Sequence, residues 1–148
     1  MRHIKVFALL VLALSVGLTA CQKSSPGTEK DLYNTVWDAA GHFVSGAGSE
    51  TTRYNLSFFE GNKCTMEYTW ELRTKMSDPD EESSCILTGT FSLKGNRLTV
   101  NLKKVEDGFF SGKIPMTCKG NWSDADIIYL DIDGINYEFH RVPITFPV

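Results

Sequence analysis

Histidine and positive charge are scarce in this 148-residue chain, and none of its apolar runs reaches the length of a membrane span. The longest, residues 6–18, is about 13 residues, short of the roughly 20 that a helix needs to cross a hydrocarbon core. Lys and Arg number 15 against 18 Asp and Glu, with no Lys/Arg cluster. That balance argues against nucleic acid, whose phosphates need convergent cations, and against a polybasic membrane patch. No CxxC and no Cys/His zinc spacing is present, so no metal site is expected. Asp131-Ile132-Asp133-Gly134 resembles the front of a calcium loop but lacks the Glu that closes one; a hairpin turn explains Asp133-Gly134. The acidic stretch 78–82 reads as a solvated loop. Beyond the first twenty residues the only histidines are His42 and His140, neither in a motif that activates a Ser or Cys nucleophile, and both read as surface side chains. No catalytic residues and no cofactor are assigned, and an enzyme is not expected.

What is present begins at the N-terminus. Arg2, His3 and Lys5 precede the apolar segment, and Leu18-Thr19-Ala20-Cys21 closes it, the layout of a secretory signal rather than of a fold element. These four residues resemble the lipobox of bacterial lipoproteins. The resemblance implies a signal peptide over residues 1–20, cleavage before Cys21, and acylation of that cysteine, with the acyl chains as membrane anchor. Several chains on one residue, at about 0.8 kcal/mol per buried methylene, hold effectively permanently. Gln22 after the cysteine resembles the outer-membrane sorting pattern and implies a cell-envelope location, periplasmic or surface-facing.

From Cys21 the chain has 128 residues and a net charge of −5, enough for one domain with a single core. Residues 21–30 are polar and include Ser24-Ser25-Pro26-Gly27, a composition suited to a tether that reaches about 15 to 18 Å as a flexible coil. A short helical turn follows, with Thr28 as N-cap and acidic residues in its first turn. Residues 31–148 form the domain. Cys64, Cys85 and Cys118 are an odd set; one bridge plus a free thiol, or three buried thiols, both remain open, with pairs involving Cys118 favoured over Cys64–Cys85.

From Trp37 onward the apolar period is two, the mark of strands with one buried face. Eight strands are expected, near residues 37–44, 53–60, 64–72, 85–93, 98–103, 114–118, 128–132 and 135–141. Gly61-Asn62, Gly95-Asn96 and Asp133-Gly134 turn the chain, and residues 45–49 and 75–83 form longer loops. Hairpin follows hairpin with no crossover helix. This pattern favours an all-β fold, an eight-stranded antiparallel up-and-down barrel that removes sheet edges by closing. All three cysteines fall in the inward phase. So do Phe43, Tyr54, Phe58, Tyr68, Trp70, Phe91, Tyr137 and Phe139, which either line a cavity or fill one.

A helical turn leading to a Trp at the start of strand one, eight antiparallel strands and a late Arg resemble the lipocalin (calycin) superfamily, and with the lipobox the small lipocalin-like lipoproteins of Gram-negative bacteria. Trp37 matches the strand-one Trp, and Arg141 in Tyr137-Glu138-Phe139-His140-Arg141-Val142 matches the Arg that packs across it; Thr35 stands where the family motif has Gly. The resemblance implies a lipid-anchored monomer that takes a small apolar or amphipathic ligand at the barrel, with Tyr54, Phe58, Tyr68, Trp70, Phe91 and Tyr137 as candidate pocket residues and Trp37–Arg141 as the pair closing one end. The alternative is an interaction module, an accessory subunit of an envelope complex or an inhibitor of a hydrolase, working through an envelope protein partner.

Overall fold

A computed structural model describes residues 26–74 and 79–144; Cys21, the leader and most of the tether lie outside them. A single 3₁₀ turn, Glu29–Leu32, leads into eight strands: β1 (Thr35–Ser45), β2 (Gly48–Phe59), β3 (Lys63–Arg73), β4 (Glu81–Lys94), β5 (Arg97–Gly108), β6 (Met116–Asp124), β7 (Ile127–Ile132) and β8 (Ile135–Arg141). Each pairs antiparallel with its neighbour in sequence, and β8 returns to β1, so the sheet closes into an up-and-down barrel. This is the expected architecture and it is compatible with a lipocalin-like fold.

Three connections are tighter than the composition suggests. The Gly-rich stretch 45–49 is a two-residue turn, Gly46-Ala47, because Ser45 and Gly48 already pair. On the far side of the loop after Arg73, Glu81, Glu82 and Ser83 belong to β4, opposite Leu72, Glu71 and Trp70. β5 runs on past its expected end near Lys103, opposite β4 with register shifts at Ile86/Leu87 and Thr88/Gly89, so that the loop to β6 opens only after Asp107-Gly108. In each case ladder pairing with a neighbouring strand outweighed local turn chemistry. The Asp133-Gly134 hairpin is as expected: both residues have positive φ, 52° and 81°, as a type I′ turn requires, and the Gly134 N–H donates to Asp131 Oδ1 at 2.9 Å.

The base of the barrel, where β1 starts, is closed. Trp37, Leu32, Phe58, Leu98 and Phe139 are each at most 1% exposed there and along the interior. The 3₁₀ turn straps this end: Glu29 accepts hydrogen bonds from the Asn62 side chain at 2.7 Å and the Leu93 backbone at 2.9 Å, tying the β2–β3 turn to β4. Asp31 accepts from both the backbone N–H and the hydroxyl of Thr28, bonds that favour its charged form and hold its carboxyl below the usual range. Thr35 has a reason of its own. Its hydroxyl donates to the Leu32 carbonyl and accepts the Trp37 indole N–H at 2.8 Å, so it satisfies a buried donor that a glycine would leave unpaired.

Candidate functional site

Trp37 and Arg141 meet. They are register partners in the short β1–β8 ladder, and the Arg141 guanidinium carbon lies 5.9 Å from the Trp37 ring centre, within cation–π range. Trp122, which strand periodicity did not single out, packs edge-on against Trp37 with centroids 6.5 Å apart. It sits in the inward phase of β6 two residues beyond Gly120 and four beyond Cys118; that phase was its only signal. Its indole nitrogen is buried and has no hydrogen-bond partner among the described residues.

The candidate pocket residues separate into two levels. Phe58 and Phe91, expected with the pocket set, are 0% and 2% exposed and stack edge-to-face at 4.6 Å. They are core, because Met66, Leu87, Val100 and Leu102, all buried, fill the space around them. Above them lies a layer of tyrosines. Tyr54 is 5.3 Å from Tyr68 and 4.8 Å from Tyr137 between ring centroids, and Tyr68 stands edge-on to Phe110 at 5.9 Å. The Tyr54 and Tyr137 hydroxyls are hydrogen-bonded, and burial with that bond pushes the Tyr54 phenol well above its ordinary pKa. Burial also raises Tyr68. Both rings therefore stay neutral, donors and acceptors at neutral pH.

Trp70 lies above this layer, partly exposed. With Tyr68, Ser83, Phe109 and Ser111 it lines a depression of about 320 Å³ between β3, β4 and the β5–β6 connection. Phe43, expected to point inward, is 66% exposed: β1 is laddered to β8 only at Trp37 and Asp38, and toward its upper end it has β2 alone as a ladder partner. Val44, Phe109 and Ile135 are exposed at the same end. A larger groove of about 870 Å³ runs along the seam of β1 and β8 and over the outer faces of β2 and β3; Tyr54 and Tyr137 reach it from inside, and Asp38, Arg53, Glu67 and Glu138 rim it.

Cys64, Cys85 and Cys118 are all unbridged and buried. Burial, with the neighbouring Cys118, pushes the Cys64 thiol up to about 12, and burial pushes Cys118 up to about 11. They are protonated, weakly nucleophilic side chains that act as small hydrophobes. Of the two histidines among the described residues, His42 Nδ1 is 3.0 Å from Thr51 Oγ1 and His140 Nε2 is 2.9 Å from Glu138 Oε1; both contacts are at the surface. Among the described residues no three His, Cys, Asp or Glu side chains converge in a metal-binding arrangement. Compared with known proteins, the chain matches no family model and no curated sequence.

Proposed function

We propose that this is a lipid-anchored, non-enzymatic binding protein of the cell envelope, held at the outer membrane through acylated Cys21, that takes a small amphipathic molecule at the upper end of a lipocalin-like barrel. The observation that carries the reading is the tyrosine layer, Tyr54, Tyr68 and Tyr137, lying between a solid core and an open end. The ligand sits in the mouth and not deep in the barrel. Trp70 and Phe109 offer apolar faces, while Ser83, Ser111 and the Tyr68 hydroxyl offer the few polar groups that orient a ligand in a mostly apolar site. At about 320 Å³ the depression suits a compact molecule at the small end of ligand sites.

The test uses the placement of the three tryptophans. Trp37 and Trp122 are sealed in the base, 0% and 3% exposed, so ligand at the mouth changes the emission of Trp70. Native mass spectrometry of protein taken from its own envelope should show a bound species, and that species should shift the fluorescence of the wild type but not of Trp70→Phe. A bound species that shifts both alike would overturn the site. Separately, Cys21→Ser should leave the domain folded and release it from membranes; a mutant still retained in the washed membrane fraction would overturn the anchor.

The exposed Phe43, Val44, Phe109 and Ile135 around the same end support the second reading, a protein-interaction module, since grouped apolar side chains mark contact surfaces more often than scattered ones do.

A further inference from the structure

Charge is distributed unevenly along the barrel axis. The upper end, residues 41–52, 69–74, 79–84, 106–115 and 131–136, carries nine carboxylates against two cations, Arg73 and Lys113. The rest of the described chain is nearly balanced, with eight carboxylates and nine Lys or Arg. The negative charge of the domain is therefore gathered round the mouth. Of the two cations there, Arg73 is bound to Glu71 at 3.2 Å, and Lys113 stands on the β5–β6 connection.

Register shows which of these carboxylates share a face with the depression. Residues opposite one another in neighbouring strands lie on the same side of the sheet, and so do residues two apart along one strand. Trp70 and Ser83 are partners, and both line the depression. One row higher on that face, about 7 Å along the strands, Leu72 pairs with Glu50 on one side and Glu81 on the other. Both glutamates are exposed, and neither makes a hydrogen bond or ion pair among the described residues. The Glu50 charge reaches the layer below: burial raises the Tyr68 phenol most, and Glu50 adds to it. From Tyr54, Tyr68 and Cys85 upward, this face of β2, β3 and β4 has no Lys, Arg or His.

We propose that the ligand of the mouth is a compact organic cation, an ammonium group joined to an apolar body, whose charge sits at the Trp70 face below Glu50 and Glu81. The inference rests on the mouth being the binding site and adds the sign of the ligand's charge. Aromatic faces are what the depression chiefly offers: Trp70 is partly exposed, Phe109 is 73% exposed, and Tyr68 lies beneath. Such faces attract an ammonium group, best of all the indole. Carboxylates around a concave site also raise the local concentration of cations. A carboxylate or phosphate head would instead meet Glu50 and Glu81 with no cation on that face to hold it, and an uncharged head would leave both without a partner.

The experiment titrates the purified full chain with three probes that share one chain length, octyltrimethylammonium, octanol and octanoate, and follows Trp70 emission. The cation should bind about tenfold tighter than the alcohol, and octanoate more weakly than either. Replacing both carboxylates, Glu50→Gln with Glu81→Gln, should bring the cation and the alcohol within about threefold of each other. Should that double variant fold poorly in urea, raising salt from about 0.05 to about 0.5 M makes the same test on the wild type, because screening should narrow the gap. Alcohol or octanoate binding as tightly as the cation overturns the charge assignment and leaves the mouth as the site. A preference for the cation that survives both the double variant and salt overturns the role of Glu50 and Glu81. No response to any of the three probes at about 10 mM, far weaker than ordinary ligand affinities, overturns the inference together with the mouth reading on which it rests.

Discussion

At Trp37, β1 is bonded to β2 on one side and to β8 on the other, and its side chain is sealed beneath Arg141 and against Trp122. Six residues later, at Phe43, the same strand is bonded on one side only and its side chain is 66% exposed. The two halves of the barrel share strands and alternation, yet the lower half is a packed core and the upper half a rim of aromatic and hydroxyl groups around open space. The difference follows the β1–β8 ladder, which holds only at the lower end. A barrel interior fills where all strands face one another, and stability concentrates there; function is drawn from the part left less tightly bound.

The sharpest way to break this contrast is to make a cavity in the lower half. Phe91→Ala removes a ring that contacts Phe58 and Tyr33 edge-to-face at a 2% exposed position, and should cost about 3 to 5 kcal/mol in urea unfolding. A loss under about 1 kcal/mol with the fold intact would mean that the lower half is hollow and that the ligand belongs there.

Alkali probes the same core by a different route. The folded pKa values of Cys64 and Cys118, about 12 and about 11, exceed the ordinary 9.0. A thiol of this kind contributes stability that is whole below pH 9, where both states hold the proton, and is lost as pH rises through the folded value. The urea midpoint should be flat up to about pH 8.5 and then fall, by an amount on the order of 1 to 2 kcal/mol per thiol at pH 10. A flat profile to pH 10.5 would show the thiols to be solvated. Cys118→Ala should shallow the decline, although the neutral tyrosines Tyr54 and Tyr68 add to it at still higher pH.

Arg141→Ala acts at the boundary, on a guanidinium that covers the buried indole of Trp37 from an exposed position. The expected loss is about 1 kcal/mol, combining cation–π attraction with lost cover over the barrel end. A change within about 0.3 kcal/mol of zero in the same unfolding assay would make the contact incidental.

How much of this was legible depends on how local the determinant is. Strand phase is local, and it placed Tyr54, Tyr68, Phe58, Phe91 and all three cysteines on the inner face. The Trp37–Arg141 pair spans nearly the whole domain, and followed from phase together with the expectation that the sheet closes. Depth along the barrel axis was not legible: period-two patterning says which face a side chain is on and nothing about its level, so Phe58 and Phe91 were grouped with Tyr68 and Trp70, and Phe43 with both. The parted seam could not be read at all. It lies between the first and last strands of the barrel, whose pairing stops at Asp38–His140, and no local spacing connects the two.

The smallest expected effect is the one that ties the upper half to binding. Trp70→Ala removes the largest side chain at the mouth, but Trp70 is partly exposed and lines a depression instead of filling the core. Its truncation opens no sealed cavity, so most of the cost of about 3 to 5 kcal/mol for a buried aromatic should be absent, and the loss in urea unfolding should stay below about 1 kcal/mol. Ligand retention should behave in the opposite sense, because the indole supplies a large apolar surface in a site of about 320 Å³: affinity for the bound species that native mass spectrometry is expected to show for the wild type should fall at least tenfold. Stability nearly untouched and binding lost would locate function in the half of the barrel that contributes least to folding. Were Trp70→Ala instead to cost as much as Phe91→Ala, the two levels would be one continuous core, and the contrast between a solid base and a working mouth would fail.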